Sequence, residues 1–210
     1  MLVVHHLNNS RSQRVLWLLE ELALPYRIVR YQRNAETNLA PPDLEAVHPL
    51  GKSPLLGDGD RVIIESGAII DYVLRHHGGG RLLPTPGSDE HEQYLQWLHY
   101  AEGSAMLPLM LRMYTSRLPD QGAALQPRIN DELERHLGYI DAALEGVEWL
   151  VGNSFSGADI QLSFVAEIAP LLHTLAPYPN LAAFRERIHA RPAYRRALEQ
   201  GGEYAFGPAS

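Results

Sequence analysis

The pattern of apolar and polar residues at the start of the chain predicts a strand, a helix and a second strand. The short apolar run from Leu2 to Leu7 is typical of a buried strand. Apolar residues then recur at helical spacing between Val15 and Leu22, and Pro25 ends this helix. Residues 26–31 are again strand-like. Strand, helix and strand of these lengths form a parallel unit with a right-handed crossover.

The pattern next predicts two short strands and a helix. Leu55-Leu56 and Val62–Ile64 flank Asp58-Gly59, a pair that favours a tight hairpin turn. Ser66 is a good N-cap for a helix whose apolar residues share one face. Residues 1–77 therefore follow the order β-α-β-(α)-β-β-α, which is compatible with a thioredoxin-like α/β domain.

The rest of the chain contains no further strand pattern. Residues 78–87 are rich in glycine and proline and form a predicted linker to an all-helical domain over residues 88–210. In that domain, Ser156-Gly-Ala-Asp159 is a capping box, so Asp159 is expected to cap a helix rather than to catalyse. Helices are predicted over residues 89–117, 126–145, 157–175, 180–190 and 193–200.

Composition excludes several classes of function. The net charge of -7 makes a nucleic-acid partner improbable, and the absence of cysteine removes disulfides and any protein thiol nucleophile. No apolar run approaches the ~20 residues that span a bilayer, and no signal peptide is recognisable. The ten histidines lack the spacing of a zinc motif. We therefore expect a cytoplasmic protein with no metal and no membrane partner.

Residues 48–66 contain the first candidate binding residues. Gly51-Lys52-Ser53 resembles the end of a nucleotide-binding loop, but Ala46 stands where that motif requires glycine, so this function is rejected. A cis bond at Pro54 would instead turn the Ser53 backbone outward, where a bound peptide could pair with it as an added strand. The alternative is an ordinary trans proline at the start of a strand.

Glu65-Ser66 and Ser10 extend this hypothesis. A helix that begins at Ser66 provides N–H groups and a hydroxyl for a carboxylate, and Glu65 could bind an ammonium group. Ser10 lies between the first strand and the first helix, where a hydroxyl and a helix N-terminus could stabilise a thiolate. In each case the simpler alternative remains open: a plain helix cap, a solvated glutamate, or Ser10 and Ser12 serving to start the helix.

Four motifs in this order resemble those of the cytosolic glutathione S-transferases, over essentially the whole chain. The motifs are Leu7-Asn-Asn-Ser-Arg-Ser-Gln-Arg14, Pro49-Leu-Gly-Lys-Ser-Pro54, Glu65-Ser66 and Phe155-Ser-Gly-Ala-Asp159. The resemblance implies an N-terminal thioredoxin-like domain, a short linker, an all-helical GST C-terminal domain and a homodimer. The turn at residues 49–54 and the segment at residues 100–104 look closest to a bacterial and fungal branch.

The resemblance also implies roles for individual residues. Ser10 looks like the catalytic serine of the theta-like and delta-like classes, which donates to the glutathione thiolate; Ser12 is the alternative donor. The backbone of Ser53 would bind the cysteinyl unit, and Pro54 would be the cis proline. Residue 53 is usually a branched apolar residue in the family, so serine is a departure here.

The remaining implied contacts hold the two ends of glutathione and the second substrate. Lys52 is placed like residues that meet the glycyl carboxylate, and Glu65 with Ser66 would hold the γ-glutamyl end. Core packing explains most of the apolar stripe on the long helix, whose members are also candidates for the substrate pocket: Met106, Met110, Met113 and Tyr114.

The expected activity follows from these roles. Glutathione would be the co-substrate, bound as thiolate and added to a small, electrophilic, largely apolar substrate. One alternative is a non-catalytic glutathione-binding or interaction protein of the same fold. Another is a glutathione-dependent peroxidase or isomerase.

Overall fold

The computed structural model describes residues 1–208 of the 210-residue chain. These residues form two compact units. The first unit comprises residues 1–83 together with the segment from His189 onward, and the second comprises residues 84–188. The domain boundaries that composition indicates, at residues 78 and 88, stay a prediction.

The first unit contains a four-stranded mixed sheet with the order β2-β1-β3-β4. Strand β1 pairs with β2 in parallel and with β3 in antiparallel orientation, and β3 pairs with β4 in antiparallel orientation. This arrangement confirms the thioredoxin-like prediction. In chain order the elements are β1 (Leu2–Leu7), α1 (Ser12–Glu21), β2 (Tyr26–Tyr31), a 3₁₀ turn (Pro42–Leu44), β3 (Leu55–Asp58), β4 (Arg61–Ile63) and α2 (Ser66–His77).

The strand register brings three separate chain segments to one edge of the sheet. His5 of β1 pairs with Leu55 of β3, and Leu56 of β3 pairs with Ile63 of β4. The carboxyl ends of β1 and β4 and the amino end of β3 therefore share this edge. Helices α1 and α2 both begin there, because each follows directly after β1 or β4.

Helix α1 is the most buried element of the first unit. All five residues from Val15 to Leu19 are fully buried. Burial of each large apolar side chain of this kind adds roughly 1.5–3 kcal/mol to the free energy of unfolding. An α-helix in which consecutive residues on every side are buried needs cover on more than the face that packs on the sheet.

The second unit is helical. Its elements are α3 (Asp89–Tyr100), a π-helical turn (Ala101–Ala105), α4 (Met106–Thr115), α5 (Gln126–Ala143), α6 (Gly157–Leu172) and α7 (Pro179–Ala190), the last of which runs two residues past the unit boundary. The helix predicted as one segment over residues 89–117 is thus interrupted. Pro108 has no N–H and its ring would clash with the Ser104 carbonyl in a regular helix. The preceding turn is wider, and Met106 N–H donates to the Ala101 carbonyl.

Helix α6 is buried along most of its length, as its apolar pattern predicts. Its capping box is confirmed: Ser156 N–H donates to Asp159 Oδ2 over 2.8 Å, and the Ser156 hydroxyl accepts from Ala158 N–H over 3.2 Å. Leu150 N–H donates to the other Asp159 oxygen over 3.0 Å. Burial raises the pKa of Asp159 to about 6, against the opposing effect of these hydrogen bonds. Asp159 therefore has the structural role that the sequence indicates.

Helix α8 (Pro192–Gly201) belongs to the first unit and covers α1. Arg191 makes a two-pronged ion pair with Glu21, with distances of 2.6 and 3.0 Å. The ring of Tyr194 meets that of Trp17 edge-on, with centroids 5.4 Å apart. The last helix of the chain thus provides the second cover that α1 requires.

Two properties of the helices affect what the protein can contact. Within residues 1–208 no helix combines the length and the apolar character needed to cross a bilayer.

In the second unit, a groove of about 310 Å³ lies between α4 and α5. Leu107, Leu111 and Leu125 line this groove and are exposed, which leaves an apolar surface on the unit.

Candidate active site

Ser10 lies in the turn between β1 and α1, at the shared edge of the sheet. Its hydroxyl oxygen is 2.7 Å from the Ser12 hydroxyl oxygen and accepts from Ser12 N–H over 3.2 Å. Ser12 is completely buried, with its hydroxyl 2.9 Å from His6 Nδ1 and 3.3 Å from the Leu7 carbonyl. Ser10 retains 5% exposure. Of the two serines, Ser10 is the more accessible.

Ser53 connects the segment before β3 to β1 through its side chain. The Ser53–Pro54 peptide bond is cis, as the resemblance implies. The Ser53 hydroxyl donates to the His5 carbonyl over 2.9 Å and accepts from Leu7 N–H over 3.3 Å. These bonds give a reason for the departure from the family: a serine side chain continues the β1–β3 pairing beyond the last paired residues, which an apolar side chain could not do.

Glu65 and Ser66 lie between β4 and α2. Glu65 has φ +66°, a left-handed conformation that costs a non-glycine residue about 1–3 kcal/mol and that is common at ligand sites. Its carbonyl accepts from Ile69 N–H over 2.8 Å, so Glu65 occupies the N-cap position and Ser66 is the first helical residue. The prediction that Ser66 is the N-cap is therefore wrong by one residue. The Glu65 side chain is exposed.

Arg14 is a site residue whose role the sequence did not indicate. It is buried in α1, and its guanidinium donates to the Ser66 hydroxyl over 3.3 Å. Helices α1 and α2 both present their N-termini at this edge, and the Arg14 charge adds to their positive potential. Such an arrangement favours an anion. An arginine four residues after Ser10 and directly before the apolar run that starts at Val15 was the available signal.

The other predicted site residues differ in how accessible they are. Lys52 is exposed and directly precedes Ser53. Met106 is 3% exposed and packs in the core of the second unit, as the core-packing explanation expects. Met110 and Met113 are half-buried, and Tyr114 is exposed. In the part of the chain that the structure describes, no three His, Asp or Glu side chains lie together as a metal site requires.

His6 of β1 lies behind the two serines and is buried. Desolvation by burial, with a smaller contribution from the Arg30 charge, lowers the pKa of His6 to about 4; a hydrogen bond with the Gly201 backbone opposes this. The ring is therefore neutral at physiological pH. It faces Ser12 through Nδ1, so it belongs to the same hydrogen-bonded group as Ser10.

Two family models match the chain. The model of the glutathione S-transferase N-terminal domain matches residues 1–75, and the model of the glutathione S-transferase C-terminal domain matches residues 103–192. The first match contains Ser10, Ser53-Pro54 and Glu65-Ser66.

Similar proteins come from fungi and bacteria, among other organisms, in agreement with the predicted branch. Glutathione S-transferase 1 of Saccharomyces cerevisiae is 34% identical, over 94% of each chain. Glutathione S-transferase GstB of Escherichia coli is 28% identical, over 91% of this chain and 94% of GstB. The crystal structure of a glutathione S-transferase from Actinobacillus pleuropneumoniae has a TM-score of 0.88 and 33% identity, and covers 100% of this chain and 97% of that one.

The His6 pKa predicts an acid-dependent loss of stability. Below pH 6.5 the unfolded chain binds a proton at His6, whereas the folded protein keeps the ring neutral down to about pH 4. The free energy of unfolding should therefore fall as pH falls through this range, by up to about 3 kcal/mol from His6. In His6→Gln the fall between about pH 7.5 and 4.5 should be smaller, as measured by urea titration at each pH.

The same experiment contains its control. Replacing His6 also removes its hydrogen bonds, but that loss lowers the free energy of unfolding already at pH 7.5. The change in the free energy of unfolding between pH 7.5 and 4.5 therefore reports the titration of His6 alone. Asp159 contributes to the pH dependence with the opposite sign, because its raised pKa increases the free energy of unfolding as pH falls. This contribution is the same in wild type and in His6→Gln, so it cancels in the comparison. An equal pH dependence in wild type and variant would contradict the prediction.

Proposed function

The chain belongs to the glutathione S-transferase family, and on that premise we propose that it binds glutathione at the shared edge of the sheet in the first unit. It adds the glutathione thiolate to an electrophilic, largely apolar substrate. The supporting observation is that Ser10, Ser53-Pro54 and Glu65-Ser66, distant in sequence, adjoin at the ends of β1, β3 and β4. Helix N-termini and Arg14 make this edge electropositive, as a peptide with two carboxylates requires.

The γ-glutamyl end of glutathione is assigned to the start of α2. Its carboxylate accepts hydrogen bonds from the N-terminal turn of α2 and the Ser66 hydroxyl, which Arg14 also contacts. Its ammonium group pairs with the exposed Glu65 carboxylate. The left-handed backbone conformation of Glu65 keeps the Glu65 carboxylate beside the N-terminus of α2.

The middle and the glycyl end of glutathione are assigned to the segment before β3. The Ser53 backbone pairs with the cysteinyl unit, while the Ser53 side chain is occupied by its two bonds to β1. Lys52, exposed and one residue earlier, meets the glycyl carboxylate.

Ser10 activates the sulfur. A free thiol has a pKa near 8.5, and a hydroxyl donor together with the α1 N-terminus stabilises the thiolate relative to the thiol. The thiol proton leaves to solvent, and the sulfur lone pair forms the bond to the electrophilic carbon. Glutathione supplies the nucleophile, and the protein supplies position and electrostatic stabilisation. Met110, Met113 and Tyr114 are the accessible residues of the α4 stripe and are the candidates to contact the electrophile.

Ser10→Ala tests the thiolate donor. Losing a hydrogen bond to a charged sulfur, worth about 1.5–3 kcal/mol, should raise the pKa of the bound thiol by about 1–2 and reduce turnover at pH 7 roughly tenfold to a hundredfold. The pKa of the bound thiol is measured from the thiolate absorbance of bound glutathione across pH. Turnover is measured by steady-state kinetics with a panel of electrophiles. Affinity for glutathione should change little.

Two variants serve as controls for Ser10→Ala. Ser10→Thr keeps a hydroxyl and should retain most of the thiol activation. Ser154→Ala removes an exposed serine in the second unit and should behave as wild type. Unchanged activity at pH 7 in Ser10→Ala would rule out Ser10 as the donor.

Glu65→Gln tests the assignment of the ammonium group. The variant should raise the KM for glutathione roughly five- to tenfold with little change in kcat, because the contact is equal in the ground and transition states. For a glutathione analogue that lacks the α-amino group, wild type and variant should have the same affinity by calorimetry. Glu145→Gln, an exposed glutamate in the second unit, is the matched control. An equal effect on both ligands would refute the pairing.

A homodimer is proposed on the basis of the family and the exposed apolar groove between α4 and α5. Burial of the groove against a second copy would remove its leucine side chains from water. The cytoplasmic location expected from the sequence stays a prediction.

Light scattering tests this dimer. Wild type should have twice the 23.5 kDa mass of the chain at micromolar concentration. Leu107→Glu places a charge in the groove and should give the mass of a single chain. Leu107 and Leu171 are both 58% exposed, so Leu171→Glu, on α6, is the control and should remain dimeric. A monomeric wild type would disprove the proposal.

A further inference from the structure

The turn that carries Ser10 is anchored on two sides. On one side Arg33, just after β2, binds the preceding residues: its guanidinium donates to the Asn8 carbonyl over 3.1 Å and to the Asn9 carbonyl over 3.3 Å. On the other side Asn9 Oδ1 accepts from Ala205 N–H over 2.7 Å. A segment that follows α8 therefore contacts the residue directly before Ser10.

The backbone of Asn9 is left-handed, with φ +50°. Most non-glycine residues avoid this region, although asparagine adopts it more readily than others. A change of Asn9 to an ordinary backbone conformation would redirect the next residue, which is Ser10. The bonds to the carbonyl and the side chain of Asn9 thus help to place the Ser10 hydroxyl. Such placement matters, because a displacement of about 1 Å can reduce turnover roughly a hundredfold.

Residues 203–207, here called the C-terminal latch, present the Ala205 N–H to Asn9. The latch begins after Gly202, which has φ +87° and ψ −149°. This combination is close to a region that only glycine adopts readily. Gly202 therefore lets the chain leave the axis of α8 and run towards the turn after β1.

The latch has a local structure of its own. Gly207 N–H donates to the Tyr204 carbonyl over 3.4 Å, which closes a turn with Ala205 at its second position. The rings of Tyr204 and Phe206 meet edge-on, with centroids 5.2 Å apart. These contacts fix the direction of the Ala205 N–H.

We propose that Asn9 is a positioning residue for Ser10 and that the C-terminal latch holds it, so that a segment after α8 contributes to thiol activation. The inference rests on the proposed glutathione site. The bond between Asn9 and Ala205 is exposed, so water competes for it and it adds little to global stability. Its effect is expected in the pKa of the bound thiol and in turnover, rather than in the free energy of unfolding.

Ala205→Pro tests the latch by removing the donor. Proline has no N–H, but its fixed φ suits the second position of a turn, so the turn itself is kept. The pKa of the bound thiol should rise by about 0.5–1, and turnover at pH 7 should fall by up to roughly three- to tenfold with little change in the KM for glutathione.

Asn9→Gly removes the acceptor and keeps the left-handed backbone, so it should shift the thiol pKa in the same direction. Because both substitutions remove one bond, adding Ala205→Pro to Asn9→Gly should cause no further shift. In a Ser10→Ala background Ala205→Pro should also have no effect on the thiol pKa, since the latch acts through Ser10. A further shift in that background would contradict a positioning role.

Gly202→Ala disturbs the latch without changing either partner of the bond. A Cβ at residue 202 would meet no atom within 4 Å, so only the backbone conformation is disfavoured, and the thiol pKa should again rise. Gly146→Ala is the matched control, because Gly146 of the second unit has φ +72° and its Cβ would also meet open space. Both variants should lose some stability in urea titration, but Gly146→Ala should keep the wild-type thiol pKa.

The outcomes separate this inference from the proposed function. If Ser10→Ala raises the thiol pKa and Ala205→Pro leaves it unchanged, the latch has no positioning role and the proposed function stands. An equal rise of the thiol pKa in Gly146→Ala and Gly202→Ala would attribute the effect to lost stability and would also overturn the inference. If calorimetry shows no binding of glutathione to wild type, the proposed function fails and the inference fails with it.

Discussion

Backbone pairing along both sides of β1 is the constraint on which the first unit depends. Because β1 is parallel to β2 and antiparallel to β3, the carboxyl end of β1 must meet the amino end of β3. Each helix that follows a strand ending at this edge then begins there and presents its positive N-terminal end. The electropositive edge is thus a product of topology, and individual side chains such as Arg14 only strengthen it.

Much of this architecture was predictable, because it follows from local patterns. The strand at residues 2–7 was located from a short apolar run and the start of helix α6 from its capping box, since apolar pattern and capping depend on neighbouring residues. The candidate residues at positions 10, 53 and 65 could be named from motifs. Their convergence required the strand register, which a single sequence does not contain.

What sequence reasoning missed depends on contacts between distant residues. The hydrogen bond from Arg14 to Ser66 spans 52 positions, and the interaction of His6 with Gly201 joins opposite ends of the chain. Such groups have no local pattern, because a polar residue in an apolar stretch reveals burial but not its partner. The π-helical turn was missed for a different reason: Pro108 predicts a disturbance, but not whether the helix kinks, stops or widens.

The packing of α8 on α1 means that the first unit is assembled from both ends of the chain. Trp17, Glu20 and Glu21 contact residues of α8 and the arginine before it, and these residues are synthesised well after those of the sheet. Until then, one side of α1 is open to water, and Gly201 cannot yet orient the ring of His6. A nascent sheet can therefore pair before α8 exists, whereas the cover of α1 is complete only once the end of the chain has been synthesised.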